Sequence, residues 1–523
     1  MVKDASQPSP LPPVDELKRH SDREVEVKLE CPPDLLPSLF TLEPLAGAIV
    51  RPRAQRLVAT YFDTPGDALD RAGMSLRLRK AGAQRVMTLK WALRESSGFS
   101  RGEAEAPFRG DQPDVNVFGP EISKRVEERM RGETLAPRFE TRVRRRTAEL
   151  SLGASVVEIA LDEGEIVAAE ARRKISECEL ELKDGEPAAL FGLAAQLTRA
   201  GLRVSPESKS RRGFLLARCE KPSEVRAVAP RLDAGASIED AINAVIQNAL
   251  TQFIENWPAL LDGDHPESVH QMRVALRRLR AALALFERAF PGAGFTRFRD
   301  DAKRLATALG PARDQDVFIA LVSEGPLAVF ASEPSFEALL SASSLRRHDA
   351  YRTAKETICA PETSRFALEL QAFVASRGWR NALGTQELPS LVRPARSLAD
   401  EAIERLYRRA RKLGKDMLVA EPPQRHRLRI TLKNLRYASE FFGSLYSPAG
   451  VKKFTKVISA LQDALGAHND AVSALKLVED DAIPSELRAT GIVLGWCARE
   501  IDSPEPYLRD YWLAFKSARC FWR

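Results

Sequence analysis

The sequence lacks the residue clusters that build a thiolate or imidazole metal centre. Its six cysteines, at positions 31, 178, 219, 359, 497 and 520, form no CxxC pair, and its six histidines include no HxxxH or HExxH. That scatter argues against structural zinc and against a disulfide framework, and it points to reduced thiols in a cytoplasmic protein. No run approaches the roughly 18 consecutive apolar residues of a membrane helix, so no bilayer span is expected. The opening MVKDASQPSPLPPVDELKRH has no apolar stretch of the signal-peptide kind, and residues 1–20 read as a Pro-rich, disordered leader.

What is there is the balance of an ordinary globular protein, 44% hydrophobic and 29% charged over 523 residues. At about 150 residues per domain, two to four compact units are expected. Lys and Arg exceed Asp and Glu by 79 − 72 = 7. The surplus is modest, but the arginines are bunched, and bunching makes a polyanion the partner to consider.

From about Arg23 to Phe214 short runs alternate apolar and polar residues, broken by turn signals such as Thr64-Pro65-Gly66-Asp67, Ala81-Gly82 and Asp184-Gly185. This predicts an antiparallel sheet or barrel. Residues 219–236 are polar, contain prolines and read as a linker. From 237 to 520 apolar residues recur at the three- and four-residue spacing of helices. This second half repeats itself at one offset, 426 − 270 = 156, with His270/His426, Arg273/Arg429, Leu276/Leu432, Leu279/Leu435, Arg280/Arg436, Leu309/Leu465, Gly310/Gly466 and Asp314/Asp470 identical. A register held this long predicts two bundles related by a pseudo-twofold axis. The expected fold class is α+β multidomain: an N-terminal antiparallel closed β-barrel with flanking helices at 21–218, then an all-α domain of two pseudo-symmetric bundles at 237–520.

The strands carry charge where a half-buried strand usually carries apolar residues. Period-two geometry puts Glu24, Glu26, Lys28 and Glu30 on one face and Val25, Val27 and Leu29 on the other. The pattern recurs in Arg77-Leu78-Arg79, in Thr88-Leu89-Lys90 and in Glu177 to Lys183, and Arg101, Glu103 and Glu105 share a parity. Together these strands fit a closed barrel whose apolar face points outward under helices and whose charged face lines a lumen. Such a lumen suits a polyanion carried in with divalent cations, because phosphoanhydride hydrolysis needs Lys and Arg on the phosphate oxygens and carboxylates on hard cations.

The ExExK of Glu24, Glu26 and Lys28, followed by Tyr61-Phe62-Asp63-Thr64, LRLR at 76–79, TLK at 88–90, ELEL at 179–182 and SKSRRGF at 208–214, resembles the CYTH family, the triphosphate tunnel metalloenzymes. The resemblance implies Glu24, Glu26, Glu177 and Glu179 as metal-binding carboxylates, supported by Glu103, Asp162 and Glu181, and Mg²⁺ or Mn²⁺ as cofactor. It implies Lys28, Arg77, Arg79, Lys90, Lys209 and Arg212 as the grip on phosphate, with Glu24, Glu26, Lys28 and Lys90 at the centre of catalysis. In the run Arg142 to Arg146 a one-residue slip reverses which arginines face inward, and Arg145 is the expected one. Asp63, ahead of a Pro-Gly turn, is expected to serve the fold.

In the second half, helical rotation of about 100° per residue puts His270, Arg273, Arg277 and Arg280 in one stripe opposite Leu276, Leu279, Leu283 and Phe286. His426, Arg429, Lys433 and Arg436 repeat it, and no Asp or Glu lies between Gln424 and Ser439 to pair with them. A duplicated, uncompensated stripe points to an anionic ligand. The following LGPARDQD and LGAHND segments are expected to be architecture, a helix ending at Gly and the next capped by Asp. These paired motifs resemble the CHAD family, helical domains associated with inorganic polyphosphate, which implies polyphosphate as the ligand of both stripes. Lys433 and Asn469 replace arginines of the first copy, so the halves are not expected to bind equally.

The expected function is metal-dependent hydrolysis of inorganic triphosphate in the lumen, with polyphosphate bound by the helical domain. Thiamine or nucleoside triphosphatase, class IV adenylate cyclase and a non-catalytic polyphosphate binder are the alternatives. The carboxylates argue against a nucleic-acid groove. The expected location is the cytoplasm, with association with polyphosphate granules, and oligomeric state is left open.

Overall fold

The computed structural model describes residues 24–51, 54–93, 99–415, 417, 422–479, 488–502 and 508–523; the expected leader at 1–20 lies outside them. Two compact units emerge. One runs to Gly185 and resumes at Glu207–Glu220, and the other comprises Glu186–Pro206 and Lys221–Arg523. Within the 21–218 span expected for the first domain, Glu186–Pro206 therefore packs with the helical unit.

Eight strands form the first unit's barrel: β1 (Glu24–Glu30), β2 (Gln55–Asp63), β3 (Met74–Ala81), β4 (Gln84–Ala92), β5 (Ser100–Pro107), β6 (Ala136–Leu152), β7 (Ser155–Ala168) and β8 (Ala171–Asp184). Their order is β1-β5-β4-β3-β2-β6-β7-β8, every neighbour is antiparallel, and β8 returns to β1 to close the ring. The alternation along β1 sorts as its sequence dictates: Val27 and Leu29 are wholly buried while Glu26 and Lys28 face the lumen. Each such buried aliphatic contributes about 1.5–3 kcal/mol. On the outer face of β3 and β4, Leu76, Leu78, Met87 and Leu89 pack with Leu69 of α1 (Ala68–Arg71) and Val126 of α2 (Pro120–Met130).

The inner face is not charged throughout. Residues directly opposite in a ladder share a face, and Tyr61 lies opposite both Arg77 and Phe139. Beyond Tyr61 the wall turns apolar, with Leu57, Ala59, Val143, Ile166, Ala168 and Ile175 gathered around Phe214. Tyr61 stacks on Phe139 at 4.5 Å, and Phe139 meets Phe214 edge-on at 5.1 Å. A Cβ at Gly213 would fall 2.0 Å from the Phe139 ring, so glycine alone permits this approach.

The helical unit begins with α3 (Pro187–Leu197), whose apolar residues lie on every side and which packs on α11 (Pro361–Ala375); α4 (Lys209–Ala217), which carries Phe214, belongs to the barrel unit. The remaining helices are α5 (Ile238–Glu255), α6 (Trp257–Asp262), α7 (Pro266–Ala289), α8 (Phe295–Ala308), α9 (Gly310–Ser323), α10 (Pro334–Cys359) and α11 (Pro361–Ala375). The second half adds α12 (Ala395–Leu413), α13 (Pro422–Phe441), α14 (Pro448–Glu479), α15 (Arg488–Asp502) and α16 (Leu508–Ser517). The offset of 156 maps α7 onto α13, and both α8 and α9 onto the single helix α14.

That mapping corrects the expectation for the Leu-Gly segments. In the first copy the chain breaks at Leu309 and α9 starts at Gly310 with no side-chain cap, so Asp314 lies inside the helix. In the second copy α14 runs through Gly466 unbroken. Pro311 accounts for the difference: it supplies no N–H and suits a first turn, whereas Ala467 continues a helix. The side chains at 467–469, Asn469 among them, lie outside the described residues.

Candidate functional site

The barrel's charged wall surrounds one cavity of about 1030 Å³, counted out to its open mouth. β1 supplies Glu24, Glu26 and Lys28; β3 Arg77 and Arg79; β4 Thr88 and Lys90; β5 Arg101, Glu103 and Glu105; β6 Arg145; β8 Glu179 and Glu181; and α4 Lys209. Each strand delivers alternate residues to this face, so the spacing of the charges in sequence becomes a ring of charges in space.

The charges are paired in three groups. Lys90 Nζ lies 2.6 Å from Glu24 and 3.2 Å from Glu103, while Lys28 binds Glu26. Arg79 reaches Glu105 at 3.3 Å, and the Thr88 hydroxyl donates to the same carboxylate at 2.8 Å. In the deepest group Arg145 grips Asp162 with two bonds of 2.7 and 2.6 Å and donates to Glu179 at 2.5 Å. Lys209 Nζ sits 2.7 Å from Asp162 and 2.9 Å from Glu179, and it also contacts Glu177, which Arg212 binds from the other side.

The ionisation states follow. Burial would raise Glu26, but Lys28 and Lys90 outweigh it and hold the carboxyl at about 2. Burial keeps Glu24 above the ordinary glutamate range despite Lys90. Burial opposes the charge of Glu179 too, yet Lys209 and Arg145 hold it well below that range. The ammonium groups of Lys90 and Lys209 are desolvated, and the surrounding carboxylates still raise both above the usual lysine value.

Most expected site residues meet in this cavity, and Arg145 is the inward arginine of its run; Arg142 pairs outside with Glu140, and Arg146 donates to the carbonyls of Leu36 and Pro37. Asp162 and Glu177 are fully buried beneath Lys209. Arg212, expected to grip phosphate, is instead 5% exposed, bound to Glu177 and absent from the cavity wall: one turn beyond Lys209 on the same face of α4, it meets the other oxygen of that carboxylate. Asp63 accepts from the backbone N–H groups of Thr64, Leu69 and Asp70 and serves the turn. Glu158 and Lys183 also line the cavity; the parity of Lys183 with Glu177, Glu179 and Glu181 was the signal for it.

The donor set fits a hard divalent cation. Oxygens of Asp162, Glu177 and Glu179 lie within 4.8 Å of one another, and carboxylate oxygen without sulfur or imidazole suits Mg²⁺ or Mn²⁺.

In the helical unit the two stripes face each other. Arg277 of α7 bears electrostatically on Arg429 and Lys433 of α13. The buried Nε atoms of Arg273, Arg277, Arg280 and Arg429 have no hydrogen-bond partner among the described residues. Arg273 Nη1 donates to the Ala306 carbonyl at 2.6 Å, and a Cβ at Gly310 would stand 3.2 Å from that nitrogen. Arg436 does have an acid nearby, Glu440 at 3.5 Å, just past the acid-free stretch. Asp314 and Asp470, equivalent across the repeat, temper Arg273 and Arg429. His426 is exposed. Burial and then Arg313 push His270 down to about 4, so it is neutral near pH 7. Burial, Arg429, Arg277 and Arg436 lower Lys433 to about 7.

Among the described residues, no helix is long and apolar enough to cross a membrane. Residues 22–214 match the CYTH domain model, and residues 244–479 match the CHAD domain model. An inorganic triphosphatase of Haemophilus influenzae is 33% identical over 159 residues, 30% of this chain; the match spans 45% of that relative, less than half its length. An uncharacterized protein of Mycobacterium tuberculosis is 25% identical over 465 residues, covering 82% of this chain and 83% of its own. The solved CHAD domain from the plant Ricinus communis aligns over 57% of this chain and 98% of its own, at 29% identity and a TM-score of 0.50. Barrel and bundle thus correspond to two matched families in order, and the chain carries a CYTH domain followed by a CHAD domain.

Proposed function

We propose that the barrel hydrolyses inorganic triphosphate to pyrophosphate and phosphate, and that the helical domain binds inorganic polyphosphate. The observation that carries the first part is a lumen in which carboxylates and cations converge on one cavity. A pure anion-binding groove has no use for so many acids, whereas a site for a phosphate chain with its cation needs both signs. The inorganic triphosphatase that shares 33% identity with part of this chain supports the same reading.

In this reading Lys28, Arg77, Arg79, Lys90, Arg145 and Lys209 hold the phosphate oxygens, aligning the terminal phosphorus for attack by water. Glu24, Glu26, Glu177 and Glu179, with Glu103, Asp162 and Glu181, would hold Mg²⁺ or Mn²⁺. When bound, that ion neutralises phosphate charge and acidifies a water. Arg212 acts behind Glu177 as a positioning residue. Water adds to the terminal phosphorus, the bridging P–O bond breaks, and pyrophosphate leaves with the electron pair.

The test is phosphate release from tripolyphosphate, ATP and thiamine triphosphate with Mg²⁺ or Mn²⁺. Preferential hydrolysis of tripolyphosphate is expected; equal or faster cleavage of ATP or thiamine triphosphate would replace this reading with an organic triphosphatase.

For the helical domain, the facing stripes with unpartnered buried Nε atoms support polyphosphate binding. Lys433, with Arg429, Arg277, Arg436 and Asp470 around it, makes the affinity pH-dependent. A lysine at about 7 loses its charge above that value, so polyphosphate affinity is expected to fall as pH rises from 6 to 8.5. Lys433→Arg should flatten that fall; fluorescence anisotropy with a labelled polyphosphate checks both.

A further inference from the structure

The carboxylates of Asp162, Glu177 and Glu179 converge within 4.8 Å, and such a gathering of like charge is costly unless a cation sits in it. In this structure the cation is the Lys209 ammonium, which touches all three. We infer that Lys209 is a tethered counter-ion competing with the divalent cation for these carboxylates, and that metal entry drives its ammonium into the lumen to meet the phosphate oxygens of the substrate. This inference rests on the metal-dependent hydrolase reading.

Charge balance favours the exchange. The three carboxylates are contacted by three cations, Lys209, Arg145 and Arg212, the last of which also lies in the field of Glu30 and Glu207. A divalent ion added to the three carboxylates and their three cations would bring an excess of two buried positive charges. Expelling Lys209 halves the excess, and the anionic substrate offsets the rest.

Lys209 is the member free to leave. Arg145 is forked onto Asp162 by two hydrogen bonds and tied to Glu179 by a third. Arg212 is buried behind Glu177. Lys209 holds its partners through one ammonium on a flexible four-carbon stem, and it opens α4 next to Ser208 and Ser210, which line the cavity with it. A rotamer change moves the charge from the nest to the open side without moving the helix. The lysine thus neutralises the carboxylates until metal arrives and joins the substrate's cationic cradle only then.

The experiment is a Mn²⁺ titration of the full chain without substrate, read as free Mn²⁺ by electron paramagnetic resonance, for wild type, Lys209→Met and Lys209→Gln. Both variants are expected to bind Mn²⁺ about tenfold more tightly or better. Equal or weaker binding, with wild type still binding Mn²⁺ and hydrolysing triphosphate, overturns the counter-ion and leaves the hydrolase reading standing. A wild type that neither binds Mn²⁺ nor releases phosphate removes both. A second measurement needs no variant: reductive methylation of Lys209, followed by peptide mass spectrometry, should rise several-fold when Mg²⁺ is added. An unchanged or suppressed rate overturns the inference.

Discussion

Replacing Glu26 with glutamine is expected to lower the rate of phosphate release from tripolyphosphate by about a hundredfold to a thousandfold while the fold survives. The side chain is nearly buried, held by Lys28 and within the field of Lys90. Glutamine keeps its shape but supplies no charge, so a hard cation loses a ligand and two lysines lose their counter-charge. Initial rates of phosphate release, with a circular dichroism melt as the control for folding, make the measurement; a variant within threefold of wild type would remove Glu26 from the site. The pH profile adds a signature. Because Glu26 is held at about 2, its contribution to stability is present above the ordinary glutamate value and lost only as pH falls through about 2. Glu24, raised by burial, takes up its proton first. The acid limb of the rate should therefore have its midpoint above the ordinary glutamate value, and a limb near 2 would point to Glu26 instead.

Reversing charge at Arg277 and Lys433 together should weaken polyphosphate binding by at least about a hundredfold at low salt. The two residues belong to opposite stripes and bear on each other across α7 and α13, so below pH 7, where Lys433 carries its proton, the change alters the local charge by as much as four where the anion would lie. Wild-type affinity should also fall steeply with ionic strength, and the double variant should respond much less, because fewer counter-charges remain to be screened. Anisotropy titrations at several salt concentrations would read both effects. Affinity within threefold of wild type at low salt would mean that the anion lies elsewhere.

The barrel was legible because its strands carry charge at period two, a pattern that favours a charged lumen over water-facing strands once several strands share it. The shared face of Glu24, Glu26 and Lys28 on β1, and of Glu179 and Glu181 on β8, came from alternation, and their roles from the resemblance to the CYTH family. The apolar sector around Phe214 was not legible, since Leu57, Ala59 and Val143 look the same in sequence whether they face outward helices or an inward plug. Arg212 looked like a phosphate ligand beside Lys209, and only its bond to Glu177 in the folded chain shows that it serves that carboxylate. In the helical half the constant offset gave the repeat and both stripes, and its residue identities concealed that Pro311 breaks one copy where Ala467 lets the other continue. Residues 187–197 lie inside the span assigned to the barrel domain, and nothing in the sequence shows that α3 packs instead on α11 of the other unit.

That last pairing bears on how such a chain can be divided or assembled. Glu186–Pro206 lies between two stretches of the barrel unit, yet it packs among the helices of the other. A truncated gene stopping within 219–236, read from sequence as a linker although Lys221 onward belongs to the helical unit, would strand a greasy helix with no cover, and one starting there would leave a gap in the remaining half.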